Sequence, residues 1–204
     1  MSYPHASSPH SQVPILTTQR LILRPVVESD IPAVQQNFTD YEIVRNLSSV
    51  VPWPYPADGA SIWFHDHVVP IQGRNRWIWA ITLKSNPHDL IGVIDLWREG
   101  RPEHRGFWLS RQHWGYGYMT EAVVPVTDLA FDALGFEKLI LSNAVGNKRS
   151  ARVKEKCGAH KIGEKASSFV DPALTTSELW ELTKESWKAH KMRAYGDISS
   201  KTSD

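Results

Sequence analysis

A short segment with two glycines, Gln112-His113-Trp114-Gly115-Tyr116-Gly117-Tyr118, combines residue types and spacing that could bind an anion. It follows a strand-like run and precedes the longest helical pattern in the chain, so its backbone N–H groups would lie at a helix N-terminus. Those groups and the helix dipole bind phosphate, and glycines without a Cβ let phosphate approach the backbone closely. An ordinary tight turn that needs positive φ is the alternative explanation for the same residues.

Two well-known phosphate-binding turns do not fit this segment. A dinucleotide-binding turn needs a third glycine in the helix and an acidic residue about 20 positions later, whereas Thr120 and Glu121 follow here. A P-loop needs Gly-Lys-Ser/Thr, and Gly146-Asn147-Lys148-Arg149-Ser150 resembles one only superficially. The glycine turn therefore indicates an anion site of another kind.

Length, composition and charge exclude several function classes. The 204 residues, 41% hydrophobic and 22% charged, predict one soluble globular domain with a sizeable core. A net charge of +1 argues against a nucleic acid partner. The single cysteine, Cys157, cannot form an intramolecular disulfide, and residues 1–14 lack the pattern of a signal peptide. These two features predict a cytoplasmic protein. No apolar run reaches the ~20 residues of a membrane helix, so no membrane partner is expected.

The order of predicted elements is that of a mixed α/β fold. Residues 1–14 and 193–204 are polar and predict flexible tails around a single domain, 15–192. A strand and two helices precede a meander that contains an antiparallel hairpin with its turn at 86–89, and strand-helix-strand-helix follows. The predicted strands are 19–24, 76–83, 90–96, 105–110, 137–142, 160–162 and 179–182; the predicted helices begin near Asp30 and Asp58 and cover 118–134, 148–157 and 185–191.

The order of motifs resembles that of the GNAT superfamily of N-acetyltransferases. The pattern Gln112-x-x-Gly115-x-Gly117 after a strand is similar to the Gln/Arg-x-x-Gly-x-Gly/Ala acyl-CoA signature of that family. The resemblance covers about residues 15–190 and points to the branch named for ribosomal-protein N-terminal acetyltransferases, the RimJ/RimL-like group. The other segments that carry it are Leu21–Pro25 with Ser29-Asp30, Gly106–Leu109, Trp114–Ala122, Asn147–Val153, Glu155–Gly158 and Leu179–Trp187.

This resemblance implies a GNAT-type fold, a mostly antiparallel sheet whose central strands, 105–110 and 137–142, splay apart between flanking helices. It also implies acetyl-CoA as the co-substrate and transfer of its acetyl group to an amine. Backbone N–H groups from His113 to Tyr118 would hold the diphosphate, Leu109 and Asn147 would bond the pantetheine arm, and Ser150 would lie near the thioester sulfur. The cofactor-binding residues implied are Leu109, Gln112, His113, Trp114, Gly115, Tyr116, Gly117, Tyr118, Thr120, Asn147 and Ser150.

Acetyl transfer requires two proton movements. An aliphatic ammonium has a pKa of about 10.4 and must lose a proton before its nitrogen attacks. The family often has a glutamate two residues before the strand glycine; His104 stands there, and its imidazole could serve as the base, with Asp95 on the neighbouring strand as the competitor. The departing thiolate needs a proton. Ser150 matches the RimL-like donor, whereas Lys154 stands where many relatives have tyrosine.

Two other reactive groups are interpreted as structural. Cys157 precedes Gly158 at the end of an amphipathic helix, a place typical of a small buried residue rather than a nucleophile. His65-Asp66-His67 offers ligands that do not share a helical face and has no third ligand at a matching spacing. No metal is predicted.

Aromatic residues ahead of the glycine turn are the candidates for the acceptor site. Trp53, Tyr55 and Trp97 belong to this group, and their rings would suit a cationic amine. The acceptor is either a protein N-terminus or a small-molecule amine, and a homodimer is a further expectation because some relatives pair. A hypothesis of another class is an acyl-CoA-binding regulatory module with little or no turnover, because His104 and Lys154 replace the usual glutamate and tyrosine.

Overall fold

The computed structural model describes residues 13–199, which form eight strands and six α-helices in a mixed α/β arrangement. Short helical turns at 28–30 and 111–113 precede α1 and the glycine turn, respectively. The strands are β1 (Leu16–Thr17), β2 (Leu21–Pro25), β3 (Arg76–Leu83), β4 (Asn86–Trp97), β5 (Arg105–Leu109), β6 (Lys138–Ala144), β7 (His160–Ala166) and β8 (Thr176–Thr183). The helices are α1 (Ile31–Phe38), α2 (Tyr41–Val44), α3 (Gly59–His67), α4 (Tyr118–Asp128), α5 (Lys148–Glu155) and α6 (Lys184–Ser199).

The strands form two antiparallel sheets, one with the order β1-β2-β3-β4-β5 and one with the order β6-β8-β7. Strand β3 is the centre of the larger sheet, and its apolar residues are buried on both faces. Trp77, Trp79 and Ile81 pack against α4, whereas Ile78 and Ala80 pack against α1–α3. This alternation follows from the two-residue period of a strand. It explains why a continuous apolar run, rather than a polar–apolar alternation, encodes β3.

The two sheets meet at His104, which comes directly before β5. The backbone N–H of His104 donates to the Ile140 carbonyl of β6 at 2.8 Å. The Ile140 N–H in turn donates to Nδ1 of His104 at 2.8 Å. Beyond this junction β5 and β6 diverge, and a cavity lies between them. The predicted splaying of the central strands is therefore confirmed.

The longest helical region differs from the single helix predicted at 118–134. The α-helix α4 ends at Asp128 and continues as a π-helical turn over Leu129–Ala133, where the Leu134 N–H donates to the Leu129 carbonyl at 2.9 Å. Pro125 has no N–H to donate, so the hydrogen-bond ladder is already interrupted in the preceding turn. Gly135 then ends the region with a φ of +70°, as the helix-ending glycine predicts.

Three local features differ from the predicted secondary structure. The hairpin turn lies at 84–85 and not at 86–89, because a register shift at Thr82 lets β4 begin at Asn86. The short helix α2 was not predicted, since four residues carry too little periodicity to show it. Strand β8 is longer than predicted and lies between β6 and β7.

The ends of the domain also differ from the prediction. Residues 1–12 and 200–204, parts of the predicted tails, lie outside the described residues. Val13 is buried in the core, and the Pro14 carbonyl accepts the indole N–H of Trp79 at 2.8 Å. At the other end, α6 continues to Ser199, so the chain is helical beyond the predicted boundary at 192. None of the helices within 13–199 has the length and apolarity that a membrane crossing requires.

Candidate active site

A cavity of about 830 Å³ occupies the gap between β5 and β6. The N-termini of α4 and α5 close one end of it, and the loops before α3 and after β7 close the other. Its floor is β5, from Arg105 to Leu109, and the facing wall includes Ser142 and Asn143 of β6. The strands that part at His104 therefore leave a channel that runs from a helix N-terminus into the middle of the fold.

The glycine turn at the start of α4 presents backbone N–H groups to this cavity. Gly115 and Gly117 have φ values of +86° and +79°, a region that residues with a Cβ rarely adopt. Gly117 is also the N-cap of α4, so the first N–H groups of the helix have no intrahelical acceptor. Within residues 13–199, the N–H groups of Gly115, Tyr116 and Gly117 have no recorded acceptor. This end of the cavity can therefore bind an anionic phosphate.

The predicted donor set is too wide at its beginning. The His113 N–H donates to the Ser110 carbonyl at 3.0 Å, and the Trp114 N–H donates to the Arg111 carbonyl at 3.2 Å. These two groups stabilise the 3₁₀ turn ahead of the glycines and are not available to a ligand. His113 and Trp114 instead line the cavity with their side chains.

The start of α4 is fixed from outside the cavity by Glu121. Its carboxylate accepts from Thr18 Oγ1 at 2.5 Å, from the Arg20 N–H at 2.8 Å and from Arg20 Nε at 2.7 Å. Partial burial alone would raise the pKa of Glu121, but these hydrogen bonds outweigh it and lower the pKa. The Arg20 guanidinium also lies 4.5 Å from the centre of the Tyr118 ring. The β1–β2 turn thus holds the first helical turn in place.

Trp114 connects three elements around the glycine turn. Its indole N–H donates to the Leu109 carbonyl at the end of β5, at 2.8 Å. The Arg149 guanidinium of α5 lies 3.9 Å from the centre of its ring. Because a cation over an indole face is favourable, this contact holds α5 close to the N-terminus of α4.

Sequence reasoning missed a row of basic residues on α5 and just after it. They share positive charge and line the same cavity as the glycine turn, which suits a ligand with several phosphates. The signal was present as five cations within the nine residues after Asn147, four of which line the cavity, but their shared charge was not interpreted. The residues are Lys148, Arg149, Arg152 and Lys156.

The structure brings together most of the predicted cofactor-binding residues. Gln112 and Tyr116 are the two that do not line the cavity: Gln112 is exposed in the 3₁₀ turn, and Tyr116 is 62% exposed and stacks on Tyr118. A role for their side chains is therefore not supported. The predicted residues that line the cavity are Leu109, His113, Trp114, Gly115, Gly117, Tyr118, Thr120, Asn147 and Ser150.

Asn147 and Ser150 lie together at the start of α5. The Asn147 side-chain oxygen caps the helix by accepting the Ser150 N–H at 3.2 Å, which leaves its amide NH₂ for another partner. The Ser150 hydroxyl oxygen accepts from Lys154 Nζ at 2.7 Å. Ser150 faces the cavity, whereas Lys154 lies behind it and is only 2% exposed. A hydroxyl is thus held at the wall of the channel.

His104, one predicted base, is a structural residue. Its Nδ1 accepts the Ile140 N–H, so the lone pair on that nitrogen is already used. Its ring packs edge-on against Phe136, with 5.7 Å between the ring centres, and does not line the cavity. Burial lowers the pKa of His104, which keeps the ring neutral and able to accept. The glutamate-like position of the family is therefore occupied here by the residue that joins the two sheets.

Asp95, the competing base, is also structural. The side chain is buried and accepts from Arg76 Nε at 3.1 Å, Trp97 Nε1 at 2.9 Å and the Gly106 N–H at 2.6 Å. Arg76 pairs with the same carboxylate through a second nitrogen. Asp95 does not line the cavity. Its hydrogen bonds hold β3, β4 and β5 together and leave it no path to a substrate.

The aromatic residues predicted for the acceptor site are placed elsewhere. Trp53 is 40% exposed and packs beside Tyr41, with 5.2 Å between ring centres. Tyr55 packs on Phe38, and burial raises its pKa to about 12. Trp97 donates to Asp95 in the network described above. None of Trp53, Tyr55 and Trp97 lines the cavity.

The far end of the cavity is built instead from two loops that pair with each other. Ser48 and Phe169 form an antiparallel bridge, the Ser49 N–H donates to the Ser168 carbonyl at 3.1 Å, and the Val170 N–H donates to the Leu47 carbonyl at 2.9 Å. Two carboxylates line this end, and both are paired. Glu42 lies 3.3 Å from Arg45, and the buried Glu103 pairs with Lys165.

Two further groups bear on chemistry. Cys157 is 1% exposed in the main core, and burial raises the pKa of its thiol, so it is not a nucleophile facing the cavity. Within the described part of the chain, no three His, Cys, Asp or Glu side chains group as metal ligands.

Comparison with known proteins identifies the class to which this fold and cavity belong. Residues 20–160 match the acetyltransferase (GNAT) domain family, so the chain belongs to that family and is an N-acetyltransferase. Among its relatives is the Bacillus subtilis N-acetyltransferase YoaA, itself described as uncharacterized. It is 27% identical over 158 residues, which cover 74% of this chain and 85% of that protein.

Solved structures show the same fold at lower identity. Mycobacterium smegmatis RimJ in complex with CoA-disulfide has a TM-score of 0.74 and 16% identity, over 89% of this chain and 94% of that one. Spermidine N-acetyltransferase from Vibrio cholerae, in complex with CoA and spermine, has a TM-score of 0.68 and 17% identity, over 82% and 97%. The GNAT fold expected from the sequence is therefore confirmed.

Proposed function

We propose that this protein transfers the acetyl group of acetyl-CoA to a primary amine by direct attack in a ternary complex. The observation that carries the proposal is one continuous cavity that is lined by both the glycine turn of α4 and Ser150. Family membership supports acyl-CoA-dependent N-acetyl transfer in general. Use of acetyl-CoA, together with a single buried cysteine, is in keeping with a reducing cytoplasm.

The co-substrate fits the cavity in one direction. Its diphosphate would accept from the N–H groups of Gly115 to Tyr118, and the basic row on α5 would offset the phosphate charge. The pantetheine arm would lie in the gap between β5 and β6, where Leu109 and the free amide NH₂ of Asn147 face it. The thioester would then reach Ser150.

The chemistry at Ser150 is proton donation to the leaving group. The neutral amine attacks the thioester carbonyl carbon, the new C–N bond forms, and the C–S bond breaks with its electron pair going to sulfur. A hydroxyl within reach of the sulfur lowers the barrier because the thiolate leaves with a proton. Since Cys157 is buried in the core, the acetyl group passes directly from sulfur to nitrogen.

The acceptor that the far end suits best is the α-amine of a peptide, as in the RimJ/RimL-like branch. Glu42 and Glu103 are already paired with cations, so a polyamine with several positive charges would have to displace those partners. An α-amine has a pKa of about 7.8, so about 30% of it is unprotonated at pH 7.4, against about 0.1% of a lysine-like amine. An α-amine therefore needs little help from a base, which fits a cavity in which His104 and Asp95 play no part.

Release of CoASH with a panel of amines tests the proposal. The panel contains peptides with a free α-amine, the same peptides blocked at the N-terminus but carrying lysine, and spermidine. Release with the first group alone is the expected result. Release with spermidine alone would overturn the choice of acceptor. Binding of CoA by calorimetry without release on any amine would support the alternative, an acyl-CoA-binding module.

Substitution of Ser150 tests the mechanism separately. Ser150→Ala is expected to lower kcat about 100-fold, the usual contribution of a positioned acid, while the KM for acetyl-CoA changes less than about twofold. Ser85→Ala, in the hairpin turn far from the cavity, is the matched control. Unchanged turnover in Ser150→Ala would remove the assigned role.

A further inference from the structure

Lys154 is a buried amine that the proposed mechanism does not use. It lies one helical turn after Ser150 on α5, and its Nζ contacts both Ser150 Oγ at 2.7 Å and the Ser150 carbonyl at 3.4 Å. Only 2% of the residue is exposed. The hydroxyl beside the channel is therefore the only hydrogen-bonding side chain that the described residues offer this nitrogen.

The groups that face Lys154 disfavour a charge on it. Arg105 of β5 is 4% exposed, donates to Thr127 of α4 at 3.1 Å, and leaves its Nε and one terminal nitrogen without a partner among the described residues. Cys157, just after α5, is buried nearby, and the Phe107 ring of β5, whose face would favour a cation, has its centre 5.4 Å from Nζ. A second cation beside a buried guanidinium is costly, because neither is solvated by water.

The nearest carboxylate does not offset this. Glu178 of β8 accepts from Asn143 at 2.7 Å and from Lys161 at 3.3 Å, so its charge is already engaged. Burial first, and then the Arg105 cation, lower the pKa of Lys154 well below its ordinary value, against weaker opposing effects of Glu178 and Cys157. A neutral amine can accept the Ser150 hydroxyl proton, whereas an ammonium can only donate to it.

We propose that Lys154 is held as a neutral amine and, acting through Ser150, carries one proton from the attacking nitrogen to the departing sulfur. The inference rests on the proposed function, since it assigns a partner to the hydroxyl that faces the thioester. Lys154 touches no substrate and is a positioning residue. Ser150 is the group that exchanges protons with the reactants.

The proton balance of the relay closes within one turnover. As the amine nitrogen bonds to the carbonyl carbon, its proton passes to Ser150 Oγ, and the Ser150 hydroxyl proton passes to Nζ, which becomes an ammonium. As the C–S bond breaks, Ser150 gives its proton to sulfur and recovers one from Nζ. The products are the amide and CoASH, and Lys154 is neutral again. No external oxidant, reductant or metal is required.

This arrangement also explains why a lysine occupies a position where an apolar side chain would give a more stable fold. An apolar side chain of similar length, such as methionine, would avoid the cost of a buried amine beside Arg105. Lys154→Met is therefore expected to fold and to raise the unfolding temperature or leave it unchanged. A loss of turnover in such a variant cannot be ascribed to lost stability.

The first test measures the protonation of Lys154 without turnover. NMR of lysine side chains labelled with ¹³C at the ε position, in the complex with CoA, follows the Nζ titration, and the signal missing in Lys154→Met assigns it. A transition well below those of the other lysines is the expected result. Titration together with the other lysines would show an ammonium at neutral pH and overturn the proposal, whatever the acceptor.

The second test separates relay from packing in the kinetics. The acceptor is trifluoroethylamine, whose low basicity keeps it unprotonated over the range, so only enzyme groups titrate. In the parent protein kcat is expected to fall as the pH drops through the transition seen by NMR. In Lys154→Met that limb should vanish and kcat should be at least about tenfold lower, with the KM for acetyl-CoA unchanged within about twofold. Lys154→Arg keeps a donor to Ser150 but cannot release a proton, and should be as slow.

Lys188→Met, an exposed position on α6, is the matched control and should behave as the parent. A parent-like rate and pH profile in Lys154→Met would overturn the relay and leave the role of Ser150 standing. Loss of CoA binding in Lys154→Met would also overturn it, because the residue would then be structural. If the parent is active and Ser150→Ala is equally active, the role proposed for Ser150 is wrong, and the relay that depends on Ser150 is wrong with it.

Discussion

Replacing Asp95 by asparagine separates the structural role assigned to this residue from a catalytic one. In the parent protein the carboxylate pairs with Arg76, accepts from Trp97 and receives the Gly106 N–H. Asparagine has nearly the same shape and keeps one oxygen for Trp97 or Gly106. It removes the negative charge, so the guanidinium of Arg76, itself 9% exposed, is left buried without a counter-charge.

The expected cost follows from that loss. Removing one partner of a buried ion pair costs about 3–5 kcal/mol, and we take about 3 kcal/mol because asparagine retains part of the hydrogen bonding. For a protein of this length, that corresponds to a fall in Tm of about 6–12 °C. Such a loss is a large part of a typical total stability of about 5–15 kcal/mol.

Calorimetric unfolding and steady-state kinetics at a temperature well below the transition provide the assay. Asp95→Asn should unfold at the lower temperature, yet the folded fraction should turn over within about threefold of the parent, because Asp95 lies outside the cavity. Asp132→Asn, at an exposed position, is the control and should change stability by less than about 0.5 kcal/mol. An unchanged Tm with turnover reduced about 100-fold would refute this reasoning and restore Asp95 as a base.

Three shorter predictions concern the co-substrate end of the cavity. Glu121→Gln should destabilise the protein at neutral pH. Because folding lowers the pKa of Glu121, the carboxylate stabilises the fold above its unfolded-state pKa, and this stabilisation is lost as the pH falls through its folded-state pKa. The free energies of unfolding of parent and variant, measured by urea titration, should therefore converge in acid. Gly117→Ala, at a φ of +79°, should cost about 1–2 kcal/mol and weaken CoA binding in calorimetry, whereas an equal affinity would show that the turn does not meet the ligand. Arg149→Ala removes both the contact with Trp114 and one cation of the α5 row, so CoA affinity should fall about tenfold at low salt and should depend less on salt than in the parent. The same loss of affinity at every salt concentration would point to packing alone.

The glycine turn of α4 and the cap of α5 were predictable from the sequence because their signals are local. Gly115 and Gly117 are needed by the backbone at their own positions, and Asn147 caps the helix that it begins. Each of these effects acts over three or four residues, which is the distance over which a sequence pattern is informative. Resemblance to a family then connected segments that no local rule could join.

The candidate bases could not be judged in this way, because their partners are distant in the sequence. Asp95 is satisfied by Arg76 from another strand, and His104 by Ile140 from the other sheet. Nothing near either residue shows that its lone pairs are already used. The same holds for Lys154, whose burial depends on Arg105 and on the packing of α5 against the gap.

The far end of the cavity was not predicted for a related reason. Trp53 and Tyr55 attract attention by residue type, but the wall of the cavity is made by the pairing of Ser48 with Phe169, more than a hundred residues apart in the chain. Backbone pairing between two loops has no signature in composition or spacing. A search by aromatic content therefore selected later residues of the same loop, which do not line the cavity.

The junction at His104 has a consequence for the whole molecule. Since β5 and β6 part beyond it, the backbone groups on the edge of each strand face the gap. An extended ligand with amides along its length could hydrogen-bond to both edges and join the two sheets as an additional strand would. Binding of such a ligand would then add RT ln(1 + [L]/Kd) to the free energy of unfolding. The concentration of CoA would thereby affect both the rate of turnover and the lifetime of the folded protein.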